Sequence, residues 1–481
     1  MSSSKHFYIN GEWVAPAVAN DFEVINPSTE QVIDVISLGS ATDVDAAVAA
    51  AKAAFDGWSQ TSREERVALI ERFVEIYMAR NEAMGEIISQ EMGCPIDKSI
   101  RDQAGSGSWQ AKGLLRELKK FEFERPFSDR APNDRLIYEP IGVCALITPW
   151  NWPMNQVALK AIAALAAGCT MVLKPSEIAP LSSLMFTQMI HDAGFPAGVF
   201  NMVNGDGVEV GTALTGHADV DMVSFTGSTR AGIAISKNAA DTVKRVSLEL
   251  GGKGANIVFA DAGEKAVVQG VRHLLGNTGQ SCNAPSRMLV ERSVYEQAVA
   301  QATEEFAKTQ VGLASESGRH LGPVVSELQY EKIQSLIQVA IDEGARLVVG
   351  GTGKPQGFAT GYYVKPTLFV DVNNDMTIAR EEVFGPVMVM IPFDTEEEAI
   401  AIANDTVYGL TNYVQTTDGA KANRVARRLR SGMVEMNGMP RASGSPFGGY
   451  KQSGNGREGG LLGLEDFLEV KSVSGWDPEQ V

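Results

Sequence analysis

Residues 141–259 repeat one rhythm, short apolar runs separated by helical stretches and punctuated by glycine or proline, and this alternation constrains the fold more than any other feature. The runs at 143–147, 171–173, 199–203, 222–225, 246–248 and 255–259 are strand candidates. Between them, the stretch 180–191 has Pro180 in its first turn and Gly194 just past its end, the expected punctuation of a helix. Strands alternating with helices predict a mostly parallel, doubly wound sheet whose ligands gather at the carboxyl ends of its strands. Lys174 and Gly227 each follow such an end.

A second alternating block spans 266–436, with helices near 295–310 and 330–343 and strands near 346–349, 363–369, 387–391 and 433–436, enough for a domain of its own. A β-rich lead over 7–37 precedes two amphipathic helices. The first is capped by Thr42 and buries Val44, Ala47, Val48, Ala51 and Phe55; the second presents Val67, Leu69, Ile70, Phe73 and Ile76. Beyond Cys94, the polar, basic stretch to Asn133 is weakly patterned and reads as an arm leaving the main body. The glycine-rich tail ends in Phe467, Leu468 and Val470, a strand expected to pair with another element or another subunit.

Charge and cysteine usage narrow the function classes. With 59 acidic against 42 basic side chains the net charge is -17, which repels nucleic acid and anionic membranes. The longest apolar run, after Lys160, is broken by Gly168 and Thr170 well short of a membrane span, and the first residues lack a signal-like apolar stretch, so the expectation is cytoplasmic. Cys94, Cys144, Cys169 and Cys282 are too scattered for a disulfide framework or a zinc site, so no metal is expected.

Cys282 lies in GNTGQSCNAPSR, where Gly279 and Asn283 allow a tight loop whose N–H groups favour a thiolate and later an oxyanion. A lone cysteine is more often a small buried hydrophobe, and Cys144 and Cys169, beside apolar strands, read that way. Cys94, before Pro95, is expected to be partly exposed but has no base beside it. Glu249 ends an apolar strand ahead of Gly251 and Gly252; burial there raises a carboxyl toward a useful base, unless it turns outward to pair with Lys253. Asn151, between Trp150 and Trp152, is either a turn former or an amide donor to an oxyanion, a role worth about 10²–10³ in rate. Lys174 and Glu177 are solvated loop charges or a ribose site, and a carboxylate there repels a 2′-phosphate, favouring NAD over NADP. Gly227 and Ser228, at a helix start, suit a pyrophosphate. Gly205, Gly207 and Gly211 miss the GxGxxG spacing by one residue and read as an ordinary loop.

Taken in order, INGEW, PWNWP, KPSE, FTGST, LELGGK, GQSC, EEVFGPV and SPFGGYKQSG resemble the NAD(P)-dependent aldehyde dehydrogenase superfamily over nearly the whole chain. The resemblance implies an α/β protein in three parts: a doubly wound parallel-sheet NAD-binding domain (1–118 and 141–250), a second α/β catalytic domain (251–455), and a small β bridging arm (119–140 and 456–481) that builds a homodimer or homotetramer. It implies Cys282 as nucleophile, Asn151 with the Cys282 backbone N–H as oxyanion donors, and Glu249 as the base that activates water against a thioester. Trp150, Lys174, Glu177, Gly227, Ser228, Leu250, Glu382 and Phe384 would hold NAD, with NADP left open.

Relatives that carry aromatics and a second cysteine around the nucleophile differ from Leu275, Gly276, Asn277, Ser281 and Asn283 here, so a more polar acyl pocket is expected. Trp152, Gln156 and Leu159 should line the substrate tunnel, with Arg441 and Phe447 near its mouth and Arg441 favouring an aldehyde with a polar or carboxylate tail. A CoA-acylating enzyme is the nearest rival, disfavoured by Glu249. A catalytically idle structural or redox-sensing relative is the other, disfavoured by the retention of Cys282, Asn151 and Glu249 together.

Overall fold

Of the six strand candidates in 141–259, the first five join one sheet and the sixth leaves it. In the computed structural model, which describes residues 4–476, a seven-stranded sheet has the order Arg245–Glu249, Met222–Thr226, Val143–Ile147, Thr170–Lys174, Phe200–Met202, Phe7–Ile9, Glu12–Val14. The first five are parallel; the last two, from the β-rich lead, add on antiparallel. Thr226 stands opposite Glu249 and Ile147 opposite Lys174, so the strands end in line and their following loops share one edge.

Ala255–Val258 instead pairs with Arg287–Glu291 and Thr411–Gln415 at the heart of a second seven-stranded sheet. That sheet is parallel except for Arg346–Val349, which adds antiparallel at one edge. Each sheet has apolar clusters on both faces, as near-continuous Val, Ile and Leu strands require. Helix Pro153–Ala167 is buried along its whole length between sheet and neighbouring helices.

Several local expectations need correction. The first helix, Ala41–Ser59, begins two residues earlier than Thr42 implies: its cap is Ser40, whose N–H donates to Asp43 Oδ2 at 2.8 Å. Pro180 caps helix Leu181–Ala193 rather than lying inside it, with Gly194 past the end at φ 82°. Cys94 is 2% exposed, within the core of the first sheet, and not a loop thiol at the surface.

The weakly patterned stretch after Cys94 is largely not an arm. It folds into a π-helical segment, Ser99–Ala104, continued by helix Gly105–Leu118, which buries Ala111, Leu114, Leu115 and Leu118. Glycines hid its periodicity, and at Gly107 the reason is space: a Cβ would lie 2.4 Å from Tyr77 Oη. The arm itself is the three-stranded antiparallel sheet of Glu124–Ser128, Ala131–Pro140 and Leu468–Val473, so the tail strand pairs within its own chain. Among the described residues no helix is long and apolar enough to cross a membrane.

One buried carboxyl ties helix Asn81–Met92 to the sheet's helical layer. Glu91, fully buried, accepts the Leu181 N–H at 2.6 Å and the Ser182 N–H at 3.1 Å, donors that the start of helix Leu181–Ala193 would otherwise leave unpaired. Burial pushes its carboxyl up to about 7 despite these bonds. A raised folded value means that its contribution is fully present below the unfolded value and is lost as pH rises through about 7. Glu91→Ala should therefore cost about 1–3 kcal/mol in urea unfolding. Glu91→Gln, neutral throughout, should flatten the decline in stability from acid to mildly alkaline pH; an unchanged profile would contradict the assignment.

Candidate active site

The aligned strand ends of the first sheet face the loops of the second across a crevice, and Cys282 sits in it. Its loop leaves helix Ala266–Leu275 through three successive left-handed residues, Asn277 (φ 55°), Thr278 (φ 56°) and Gly279 (φ 73°). For a β-branched threonine this conformation is a genuine outlier. At Gly279 a side chain is impossible, since a Cβ would lie 2.0 Å from the Gly385 carbonyl oxygen. On the other side, Pro153 at the first turn of helix Pro153–Ala167 ends the PWNWP loop and leaves Asn151 facing the cysteine loop.

The Asn151 side-chain nitrogen donates to the Gln280 carbonyl at 3.0 Å. An amide nitrogen carries two N–H groups, so one remains for a ligand. The Trp152 indole donates to Ser281 Oγ at 2.9 Å, pinning the residue before the sulfur.

Two cavities meet at this sulfur. One, of about 200 Å³, is lined by Trp150, Asn151, Gly227, Ser228, Leu250, Glu382 and Phe384, among others, and by Cys282. The other, of about 680 Å³, opens to the far side and is lined by Trp152, Gln156, Leu159, Arg441, Phe447 and again Cys282. Among the described residues, Cys282 alone belongs to both linings.

In the smaller cavity the Trp150 and Phe384 rings meet edge to face at 5.4 Å. Glu382 accepts the Gly252 N–H at 2.9 Å, and Ser228 caps helix Thr229–Ala239 through Ala231 N–H at 3.3 Å. Lys174 and Glu177 lie outside this lining, at the end of strand Thr170–Lys174; their charges are 3.5 Å apart, and Lys174 also donates to the Gly205 carbonyl at 2.5 Å. Gly205 and Gly207 lie in the loop expected of them, whereas Gly211 is already the second residue of the short helix Val210–Gly216 and not part of that loop.

Glu249 is buried, and neither carboxylate oxygen has a hydrogen-bond partner among the described residues. It does not turn outward to Lys253, which is itself buried, its ammonium pushed down to about 7 chiefly by burial. Burial first, and the Glu458 carboxylate second, hold the Glu249 carboxyl well above the usual carboxylate range. An orphaned, raised carboxylate beside a reactive-cysteine crevice is a functional signature rather than a structural one. It lines neither cavity and is packed under Gly448, where a Cβ would lie 2.6 Å from Glu249 Oε1.

Behind it lies a buried polar cluster that the sequence reading missed. Lys160 is ion-paired with Glu458 and donates to Ser224 Oγ at 3.0 Å. The one charged side chain in a helix that is apolar from Ala161 to Ala167 and buried almost throughout was the available signal. The larger cavity adds Ser106, Trp109, Gln110, Asn155, His273 and Glu435, which no motif marked. Arg441 is not a free cation there: its Nε lies 3.1 Å from Glu435 Oε1 and its guanidinium stacks 4.8 Å over the Phe447 ring.

The Cys282 thiol is half-buried and its pKa is pushed up to about 12, by burial first and then by Glu382 and Glu249. The loop N–H expected to favour a thiolate does act, through Asn283, but is outweighed.

Known proteins resemble this chain along nearly its whole length. The model of the aldehyde dehydrogenase family matches residues 13–473. A Pseudomonas 3-succinoylsemialdehyde-pyridine dehydrogenase is 50% identical over 99% of this chain and 100% of its own length. An aldehyde dehydrogenase crystal structure from Bartonella henselae superposes with a TM-score of 0.98 at 55% identity, covering 99% of this chain and 100% of that one. A mutant of aldehyde dehydrogenase C from Pseudomonas syringae, in complex with NAD+ and octanal, superposes at 0.97 with 47% identity, covering 99% and 98%.

A protonated resting thiol has a direct readout. Alkylation of Cys282 by iodoacetamide, followed by mass spectrometry of its peptide, should speed up about tenfold per pH unit between roughly pH 7 and 9. A rate flat across that range would reveal a preformed thiolate.

Proposed function

The chain belongs to the aldehyde dehydrogenase family, and on that premise we propose that it oxidises an aldehyde to a carboxylic acid with NAD through a thioester on Cys282. One observation carries the reading: Cys282 lines both the crevice of about 200 Å³ beside Gly227, Ser228 and Glu382 and the funnel of about 680 Å³ on its far side.

The donor set of the smaller cavity fits a dinucleotide. Bare Gly227 and the helix start at Ser228 suit a pyrophosphate, and the Lys174–Glu177 pair at the strand end suits the adenosine ribose. Glu382, fixed by the Gly252 N–H, suits the second ribose, with Trp150, Leu250 and Phe384 as apolar walls. The NAD+ complex of the Pseudomonas syringae relative supports the same cofactor. When bound, the dinucleotide supplies an acceptor for the hydride that leaves the carbonyl carbon.

The chain's own groups do the rest. Cys282 gives its proton to solvent water as its sulfur bonds to the carbonyl carbon, and the carbonyl electron pair moves to oxygen, where the free Asn151 N–H and the Cys282 backbone N–H stabilise it. Once the carbon is at the acyl level, Glu249 turns from beneath Gly448 and takes a proton from water. The water oxygen attacks the thioester carbon, the C–S bond breaks with its electron pair on sulfur, and the acid departs. Its raised pKa makes Glu249 a stronger base than an exposed carboxylate.

The funnel favours an aldehyde with a polar tail. Its wall offers Ser106, Gln110, Asn155, Gln156 and Asn283 beside Trp109, Trp152 and Phe447, and Glu435 offsets the charge of Arg441. The semialdehyde-pyridine relative supports a polar, ring-bearing tail; a carboxylate tail must compete with Glu435 for Arg441. The antiparallel arm is the surface proposed to build a homodimer or homotetramer, and a reducing, cytoplasmic setting suits the free cysteines.

An aldehyde panel with NAD and NADP, following the reduced cofactor and identifying the product, tests the reading. Acid formed with NAD preferred is expected; acyl-CoA formed only with added CoA, or no turnover with any aldehyde, overturns it. Glu249→Gln should keep a single-turnover burst of reduced cofactor while steady turnover falls about 10²–10⁴-fold; loss of the burst instead would remove Glu249 from the hydrolytic step. Glu435→Gln should raise kcat/KM for succinic semialdehyde several-fold relative to octanal. Equal changes for both substrates would dismiss Arg441 as a selector.

A further inference from the structure

We propose that Gln103 is a positioning residue for this reaction: from the π-helical segment Ser99–Ala104 it fixes the Asn151 carbonyl and the Asn277 side chain, and thereby sets where the Asn151 amide donor stands. The proposal rests on the reading of Asn151 as oxyanion donor given above.

Gln103 is fully buried, and its side-chain nitrogen faces two oxygens, the Asn151 carbonyl at 3.0 Å and Asn277 Oδ1 at 2.9 Å. Two acceptors at one atom require the nitrogen there, so the orientation of the amide is fixed by its partners. The same logic then propagates. Asn277 must turn its oxygen to Gln103 and its nitrogen to the Asn151 carbonyl at 2.9 Å and the Gln280 carbonyl at 3.1 Å. The Gln280 carbonyl also takes the Asn151 side-chain N–H at 3.0 Å. Backbone and side chain of Asn151 are therefore both tied to one closed circuit, and its second N–H is the group the circuit leaves over.

Three further observations make this more than core packing. The circuit clamps Asn277, the first of the left-handed residues that lead to Cys282; such a backbone is strained for a non-glycine residue and persists only where its surroundings hold it. Gln103 Oε1 has no partner among the described residues, so the amide is kept for its nitrogen at the expense of a buried orphan acceptor. The wide turn of the π-helix lets Gln103 point inward while its neighbours Arg101 and Asp102 line the funnel.

A double-mutant cycle tests the proposal, with the burst rate of reduced cofactor as readout. Asn151→Ala should slow the burst about 10²–10³-fold and Gln103→Leu about tenfold, with KM for NAD unchanged. In the Asn151→Ala background, Gln103→Leu should cost less than about twofold. A full, multiplicative loss in the double variant overturns the positioning role while leaving the oxyanion reading intact; an Asn151→Ala burst as fast as wild type removes that reading and the proposal together.

Gln103→Glu keeps the test open should the leucine variant not fold. Its acid form retains one donor, whereas its carboxylate has none and repels both oxygens. Its burst rate relative to wild type should fall as pH rises, and a ratio constant with pH contradicts the proposal.

Discussion

The short crossing at residues 250–254, where the chain leaves the first sheet after Glu249 and enters the second at Ala255, is the constraint on which the rest of the structure depends. Two of its positions admit nothing larger than glycine: a Cβ on Gly252 would lie 2.5 Å from the Cys282 carbonyl oxygen, and one on Gly254 would lie 2.6 Å from the Thr411 carbonyl oxygen. The bare backbone lets two separately wound sheets approach closely enough for strand-end residues of one to face the cysteine loop of the other. The Gly252 N–H, exposed by the same absence, holds Glu382 on the cofactor side. A single close approach thus sets both the width of the crevice and one of its charged walls.

Electrostatics within that crevice run against the resting chemistry. Burial and neighbouring carboxylates raise the Cys282 thiol, the Glu249 carboxyl and the Glu382 carboxyl alike, so the charged form of each is disfavoured until a partner arrives. The Lys160–Glu458 pair behind Glu249 is costly to bury and gives the interior there a polar lining. Asn151 is handled differently: its side chain is neutral, and its place is fixed by hydrogen bonds to Gln280, Gln103 and Asn277 rather than by charge. Reactivity is held back by desolvation while geometry is prepared in advance.

The parts of the fold that were legible in the sequence are those governed by local periodicity. Strands such as Val143–Ile147 and Val387–Phe393 stand where the apolar runs place them, because a strand buried on both faces must be continuously apolar. Helix Gly105–Leu118 was illegible because glycines needed for close packing dilute its pattern, and the tail strand's partner was open because pairing is not local. In the site, Cys282, Asn151 and Glu249 stood out through their motifs. Lys160, Glu458 and Gln103 did not, since each matters only for what it touches across the fold.

By itself the sequence determined the chemical inventory and the parallel winding of the first sheet: residue type, motif order and the period of apolar runs are properties of the chain alone. Only the tertiary structure decided that Glu249 finds no hydrogen-bond partner among the described residues, that Arg441 is answered by Glu435, that the 255–258 strand belongs to the second sheet, and that Cys282 lies between two cavities. These are distances between segments remote along the chain, and they follow from packing, where a missing Cβ at Gly252 counts as much as any charged side chain.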